Sequence, residues 1–199
     1  TWTDVVLPVG MDGMALVNAP HVNLLLNRGR SGFNGVASMI LQKDADVSTL
    51  HASIGWQAAS GKFGVMTQFT GISTALMNAL HPLPDAARGL NGIVNGAVAV
   101  VGKLDGSAVE RVKYEIETSH STYTNAALFP APMNIEKAVI KGLALDHFGR
   151  FIIQDGALRV NGTDLQLRGA LEKTGADWGL HMTAAAKNMP VNNLEYYWP

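Results

Sequence analysis

The sequence predicts a mainly β protein, a long antiparallel meander with one short amphipathic helix around residues 71–81. Three observations support this fold class. Apolar residues recur at every second position in much of the chain, as they do in strands with one buried face. Turn-forming residues interrupt these runs about every ten to fifteen residues, a spacing typical of strands joined by short turns. Only one segment has helical spacing.

The strands of the second half of the chain have the cleanest alternation. Val112, Tyr114 and Ile116 alternate with charged residues, which predicts one wet face and one dry face. Asn161-Gly162 joins two such runs and predicts a tight hairpin, because both residues tolerate positive φ. The predicted dry-face residues of these strands are Val112, Tyr114, Ile116, Leu158, Val160, Leu165, Leu167, Trp178, Leu180 and Met182.

Strands in the first half of the chain are less clearly two-faced. Apolar or small residues occupy both odd and even positions of these strands. Turns rich in Gly, Asn, Asp or Ser bound each run. The predicted strands cover residues 22–26, 36–42, 50–56, 63–69 and 93–104.

The helical segment lies between these two groups of strands. Its apolar stripe has the spacing i, i+3, i+4, i+7, i+8, with Thr70 or Gly71 as the expected cap and Pro82 as the expected stop. We expect the helix to lie over the sheet or to plug one end of it. The chain then forms one unit, 1–199, and the strands on either side of the helix suggest two sub-meanders of about 1–70 and 92–199. The stripe consists of Ile72, Ala75, Leu76, Ala79 and Leu80.

A meander with a dry face needs something to cover that face. The sheet can pack on a second sheet, close into a barrel, or curl around an apolar ligand. The residues alone leave a closed sandwich or barrel and an open, curled groove as alternatives.

Composition restricts the function further. The chain is 47% hydrophobic but only 16% charged, and its net charge of −1 argues against a nucleic-acid surface. It has no cysteine, which excludes disulfides and thiolate metal sites. No apolar stretch reaches the ~18 residues that a membrane-spanning helix needs. We interpret the chain, which starts at Thr1, as a piece of a longer protein whose membrane anchor lies elsewhere.

Motifs with chemical potential are sparse. The six histidines are scattered without metal-ligand spacing, and Asp44-x-Asp46 lacks the rest of a calcium loop. The glycine-rich segment 29–35 is flanked by Arg28 and Arg30, which could contact a phosphate headgroup, although no helix follows as in a nucleotide loop. We predict no catalytic residue, no metal and no cofactor.

Several motifs in order resemble the AsmA/YhdP-like family of bacterial envelope proteins. The resemblance covers the helical segment, the glycine-punctuated hairpins and a terminal aromatic cluster that ends in Trp-Pro. The motifs are the segments 69–82, 89–96, 151–162, 169–171, 178–180 and 189–199.

The resemblance implies a repeating β-groove: a twisted sheet curled like a gutter, with an apolar inner face lined by the dry-face residues above. The expected partners are phospholipid acyl chains and flanking units of the same chain. The expected location is the bacterial periplasm, with an anchor in the inner membrane and a role in lipid transport for outer membrane biogenesis. A different reading is a non-lipid structural or assembly module of a cell-envelope complex, a β-sandwich spacer or docking surface.

Overall fold

In the described residues, the computed structural model contains eleven strands and one helix. It describes residues 1–9, 15–43, 45–80, 88–103, 108–126, 129, 131–146, 149–174, 177–187 and 189. The terminal Trp-Pro motif therefore lies outside the described residues. The strands are β1 (Trp2–Val9), β2 (Ala15–Gly29), β3 (Gly32–Lys43), β4 (Asp46–Gln57), β5 (Lys62–Ser73), β6 (Leu90–Lys103), β7 (Ala108–Tyr123), β8 (Met133–Leu145), β9 (Arg150–Val160), β10 (Thr163–Thr174) and β11 (Asp177–Lys187), and the helix is α1 (Thr74–Leu80).

All eleven strands belong to one antiparallel sheet in chain order. Within the described residues β1 pairs only with β2 and β11 only with β10, so the sheet is not closed into a barrel. The predicted mainly β meander is confirmed, and the sheet is consistent with a curled groove. β5 pairs directly with β6, so the sheet runs without interruption past the helix.

The turns follow the local sequence. Asn161 and Gly162 have φ of 46° and 75° and join Val160 directly to Thr163, which confirms the predicted two-residue hairpin. Two consecutive residues with positive φ match the right-handed twist of the flanking strands.

Cross-strand register divides the sheet into two faces. On one face, here called the apolar face, residues aligned across the strands form rows that each take one residue from every strand from β2 to β11. Row 1 is Leu26, Gly35, Ile54, Val65, Val100, Val112, Ala144, Phe151, Leu171 and Leu180. Row 2 is Leu24, Ala37, Ala52, Thr67, Val98, Tyr114, Gly142, Ile153, Gly169 and Met182. Row 3 is Val22, Met39, Leu50, Phe69, Gly96, Ile116, Ile140, Gly156, Leu167 and Ala184.

Several irregularities cluster at one end of the strands. The register shifts between Phe69 and Ile72 in β5, and Gly71 there has φ of 75°. The backbone groups of Gly71 stay paired, because its N–H donates to Asn95 Oδ1 (2.8 Å) and its carbonyl accepts from Ser48 Oγ (2.9 Å). Such bulges bend a strand and increase its twist. Further register shifts occur near this end in β2, β6, β7 and β8.

Helix α1 packs on the apolar face at this bulged end. Ser73 caps it, with Oγ accepting a hydrogen bond from the Leu76 N–H (3.1 Å). Leu76 is fully buried against Val17 and Leu41. A helix of this length is stabilised mainly by such packing, since isolated short helices are marginal in water.

The predicted start of the helix was wrong by three residues. Thr70 and Gly71 do not cap it, because Ile72 and Ser73 still pair with Val94 and Ile93 in the sheet. Ile72 is buried as predicted from the stripe, but as a strand residue. The predicted stop at Pro82 lies outside the described residues.

We expect Leu76→Ala to lower the free energy of unfolding by about 2–5 kcal/mol, because it leaves a cavity between the helix and the sheet. The control is Ala75→Ser, at an exposed position of the same helix, which should change stability by less than about 0.5 kcal/mol. Urea unfolding monitored by circular dichroism measures both. Equal, small effects would contradict the view that Leu76 fixes the helix to the sheet.

Candidate functional site: the apolar face of the sheet

The described residues predicted to line a groove share one face of the sheet. Rows 1 to 3 contain Val112 and Leu180, Tyr114 and Met182, and Ile116 and Leu167, respectively. The remaining predicted positions continue the same parity: Leu158 pairs with Leu165, Val160 pairs with Thr163, and the backbone of Trp178 pairs with Lys173. Residues from four strands, β7, β9, β10 and β11, are thereby brought to one surface.

No charged residue occurs in any of the three rows. Thr67 and Tyr114 are their only hydroxyl-bearing members. The face is therefore a continuous uncharged surface across the sheet. Neighbouring strands lie about 4.8 Å apart, so it extends roughly 40 Å from β2 to β11.

The apolar face is only partly covered. Val112 is 6% exposed, whereas Leu180 is 60% and Met182 48% exposed. On the same face in β2, far from β11, Leu24 and Leu26 are 45% and 59% exposed. All described strands belong to the one sheet, and the helix covers only part of its bulged end. Large apolar side chains thus remain open to a ligand or partner.

Glycines leave room for aromatic rings on this face. A Cβ at Gly142 would lie 2.6 Å from Tyr114 Cζ, and a Cβ at Gly96 would lie 2.8 Å from Phe69 Cζ. The Tyr114 hydroxyl extends over β8 and donates a hydrogen bond to the Ile152 carbonyl of β9 (3.1 Å). Burial raises the pKa of this hydroxyl, which keeps it protonated as a donor. The rings therefore fill the space above glycine.

The opposite face of β7 to β10 is charged. Four ion pairs cross between neighbouring strands: Lys141–Glu115 (2.8 Å), Lys137–Glu117 (3.4 Å), Arg150–Glu172 (2.7 Å) and Arg159–Glu136 (2.7 Å). Their side chains are well exposed, so each pair adds little stability. The hydrogen bond from Lys141 to Glu115 raises the pKa of that ammonium group. The predicted division into a wet and a dry face is confirmed in these strands.

The opposite face of β2 to β5 is different. The residues that line a shallow depression of about 600 Å³ include Leu25 (59% exposed), Val36 (54%) and Met66 (45%), whose parity is opposite to that of rows 1 to 3. His51 and Asn23 also line it. This agrees with the sequence, in which both parities of these strands carry apolar or small residues.

Arg28 and Arg30 lie at the turn between β2 and β3, at the strand ends opposite the helix. Arg28 pairs with Phe33, and an aromatic row continues from Phe33 through Trp56 to Phe63 on the apolar face. The rings of Phe33 and Trp56 are 5.8 Å apart. Sequence reasoning missed this row, although each aromatic residue lies close to a turn.

The described residues contain no group of three or more His, Asp or Glu side chains positioned to hold a metal ion. No helix in the described part of the chain is long and apolar enough to cross a membrane. No protein-family model matches the chain, and the searches of curated proteins and of solved structures find no match.

We expect Gly142→Ala to lower the free energy of unfolding by about 1–3 kcal/mol, because the new methyl group would collide with the Tyr114 ring and with backbone of β9. Gly55→Ala is the matched control, since a Cβ at this strand position meets nothing within 4 Å. It should be neutral or slightly stabilising. Thermal and urea unfolding compare the two. A neutral Gly142→Ala would show that Tyr114 does not lie over Gly142.

Proposed function

We propose that this chain is a non-enzymatic, lipid-binding segment of a bridge-like envelope protein. Its apolar face holds phospholipid acyl chains, and rows 1 to 3 are the contact surface. The observation that carries the proposal is the continuous uncharged face across β2 to β11, which no second sheet covers in the described residues. Its extended shape suits long apolar chains better than a compact ligand.

The energetics of an acyl chain fit such a surface. Each buried CH₂ contributes about 0.8 kcal/mol, so a contact with part of a chain along a row gives useful affinity. The described lining has no charge, and few hydroxyl groups, to fix a ligand at one position along a row. Bound chains can therefore slide, as conduction between the inner and outer membranes requires. We further propose that the chain lies in the periplasm, that β-groove units of the same protein flank it, and that another segment anchors the protein in the membrane.

A second candidate is a structural or docking module of a cell-envelope complex. The depression with Leu25, Val36 and Met66 on the opposite face favours it, because exposed apolar patches often mark protein contacts. A module of this kind would need no lipid.

We expect Leu180→Asp to weaken binding of a fluorescent phospholipid by about tenfold or more. Loss of an apolar side chain contact of about 1.5–3 kcal/mol accounts for this factor. Leu180 is 60% exposed, so the substitution should leave the fold intact. Fluorescence titration measures binding, and native mass spectrometry of detergent-free protein measures lipid that copurifies.

The matched control is Gln166→Asp, which adds the same charge at an exposed position on the opposite face. A second pair, Leu167→Asp and Ile116→Asp, tests row 3, with circular dichroism to verify the fold. A lipid-free native protein that takes up no acyl probe would refute the lipid proposal and favour the docking module.

A further inference from the structure

The strand ends opposite the helix carry a concentration of positive charge. Arg28 lies near the end of β2, Arg30 in the following turn, Lys62 at the start of β5 and Lys103 at the end of β6. Lys62 and Lys103 are direct cross-strand partners. These four residues are here called the cationic rim.

Carboxylates balance only part of this charge. The described stretches 27–34, 55–64 and 101–103 contain no Asp or Glu. Among the described residues, the ion pairs include Lys62 with the exposed Glu110 at 3.7 Å, and none involves Arg28 or Arg30. The corresponding ends of β9 and β10 instead combine both signs, with Arg150 and Glu172 paired at 2.7 Å.

The rim joins the apolar face through the aromatic row. Arg28 has the same parity as Leu26 and Leu24, so the three residues lie on the same face of β2. Arg28 is therefore next to Leu26 of row 1, and Leu24 of row 2 follows. Phe33 and Trp56 lie in the same cross-strand row as Arg28, and both line concave spaces of about 840 and 560 Å³ that also include Arg28. Aromatic rings suit such a boundary between apolar and wet surroundings.

Trp56 adds an unsatisfied donor at this boundary. Its Nε1 is buried and has no hydrogen-bond partner among the described residues. A buried donor without a partner is unfavourable in free energy. The larger concave space is lined by Trp56, Arg28 and Lys62, so it combines an aromatic side chain with two cationic residues.

We infer that the cationic rim binds the anionic headgroup of the lipid whose acyl chains lie on the apolar face. The occupant is an anionic amphiphile with a phosphate group, because the guanidinium groups of Arg28 and Arg30 match phosphate oxygens in geometry and charge. Water remains accessible to the headgroup at the strand ends, while the tail continues along the rows. This inference rests on the proposed lipid binding and adds a selectivity for charge.

Isothermal titration calorimetry with two amphiphiles of equal chain length tests it. Dodecyl phosphate and dodecyl maltoside are compared below their micellar concentrations, and inorganic phosphate is titrated separately. We expect the native protein to bind dodecyl phosphate about tenfold or more tightly than dodecyl maltoside, with a preference that falls as salt rises. Inorganic phosphate alone should bind at least 100-fold more weakly than dodecyl phosphate, because it lacks the tail.

The double variant Arg28→Gln/Arg30→Gln should reduce the preference to less than about threefold while leaving the affinity for dodecyl maltoside unchanged. The control Arg111→Gln/Arg168→Gln removes the same charge from exposed positions on the opposite face and should retain the preference.

Each alternative result is decisive. If the native protein binds both amphiphiles equally, the proposed lipid binding is not refuted, but headgroup binding by the cationic rim is. A preference that survives Arg28→Gln/Arg30→Gln, or that the control removes equally, also overturns it. Inorganic phosphate that binds as tightly as dodecyl phosphate indicates a free-anion site and overturns the headgroup assignment. Absence of binding by either amphiphile refutes the proposed function itself.

Discussion

The structure depends on one constraint: a single sheet has an apolar face that no second sheet covers in the described part of the chain. Period-two alternation places the uncharged residues of rows 1 to 3 on one side of β2 to β11, and water contact with such a surface is unfavourable. Helix α1 covers one end, with Leu76 fully buried. Elsewhere cross-strand neighbours cover one another, as Tyr114 does above Gly142. What remains exposed is the surface proposed to contact lipid.

Irregular backbone and glycine adapt the sheet to this task. Bulges at the helix end change the direction of several strands, and the polar groups of Gly71 remain paired through Ser48 and Asn95. Within the rows, glycine provides room for rings from adjacent strands. The outer strands β1 and β11 leave backbone groups on one side without a partner strand in the described residues, a feature that favours addition of further strands.

The distribution of charged residues follows the two faces of the sheet. The cross-strand ion pairs of β7 to β10 lie on the wet face and are individually weak, so they define polarity and register more than stability. Of the cations at the ends of β2, β5 and β6, Lys62 is paired with Glu110, whereas no ion pair among the described residues involves Arg28. This difference between balanced and unbalanced charge supports separate roles for the two regions.

Local sequence determined the strand periodicity, the Asn161-Gly162 turn and the existence of one helix, because these features depend on neighbouring residues. The dry-face residues could be assigned to a common parity within each strand for the same reason. Tertiary structure decided the features that depend on the register between strands. Ser73, and not Thr70 or Gly71, caps the helix because β5 continues to pair with β6. Phe33, Trp56 and Phe63 form one row, and Tyr114 reaches Ile152, only after distant strands have paired. The openness of the sheet likewise depends on whether its two outer strands meet, a long-range outcome that alternation within a strand does not specify.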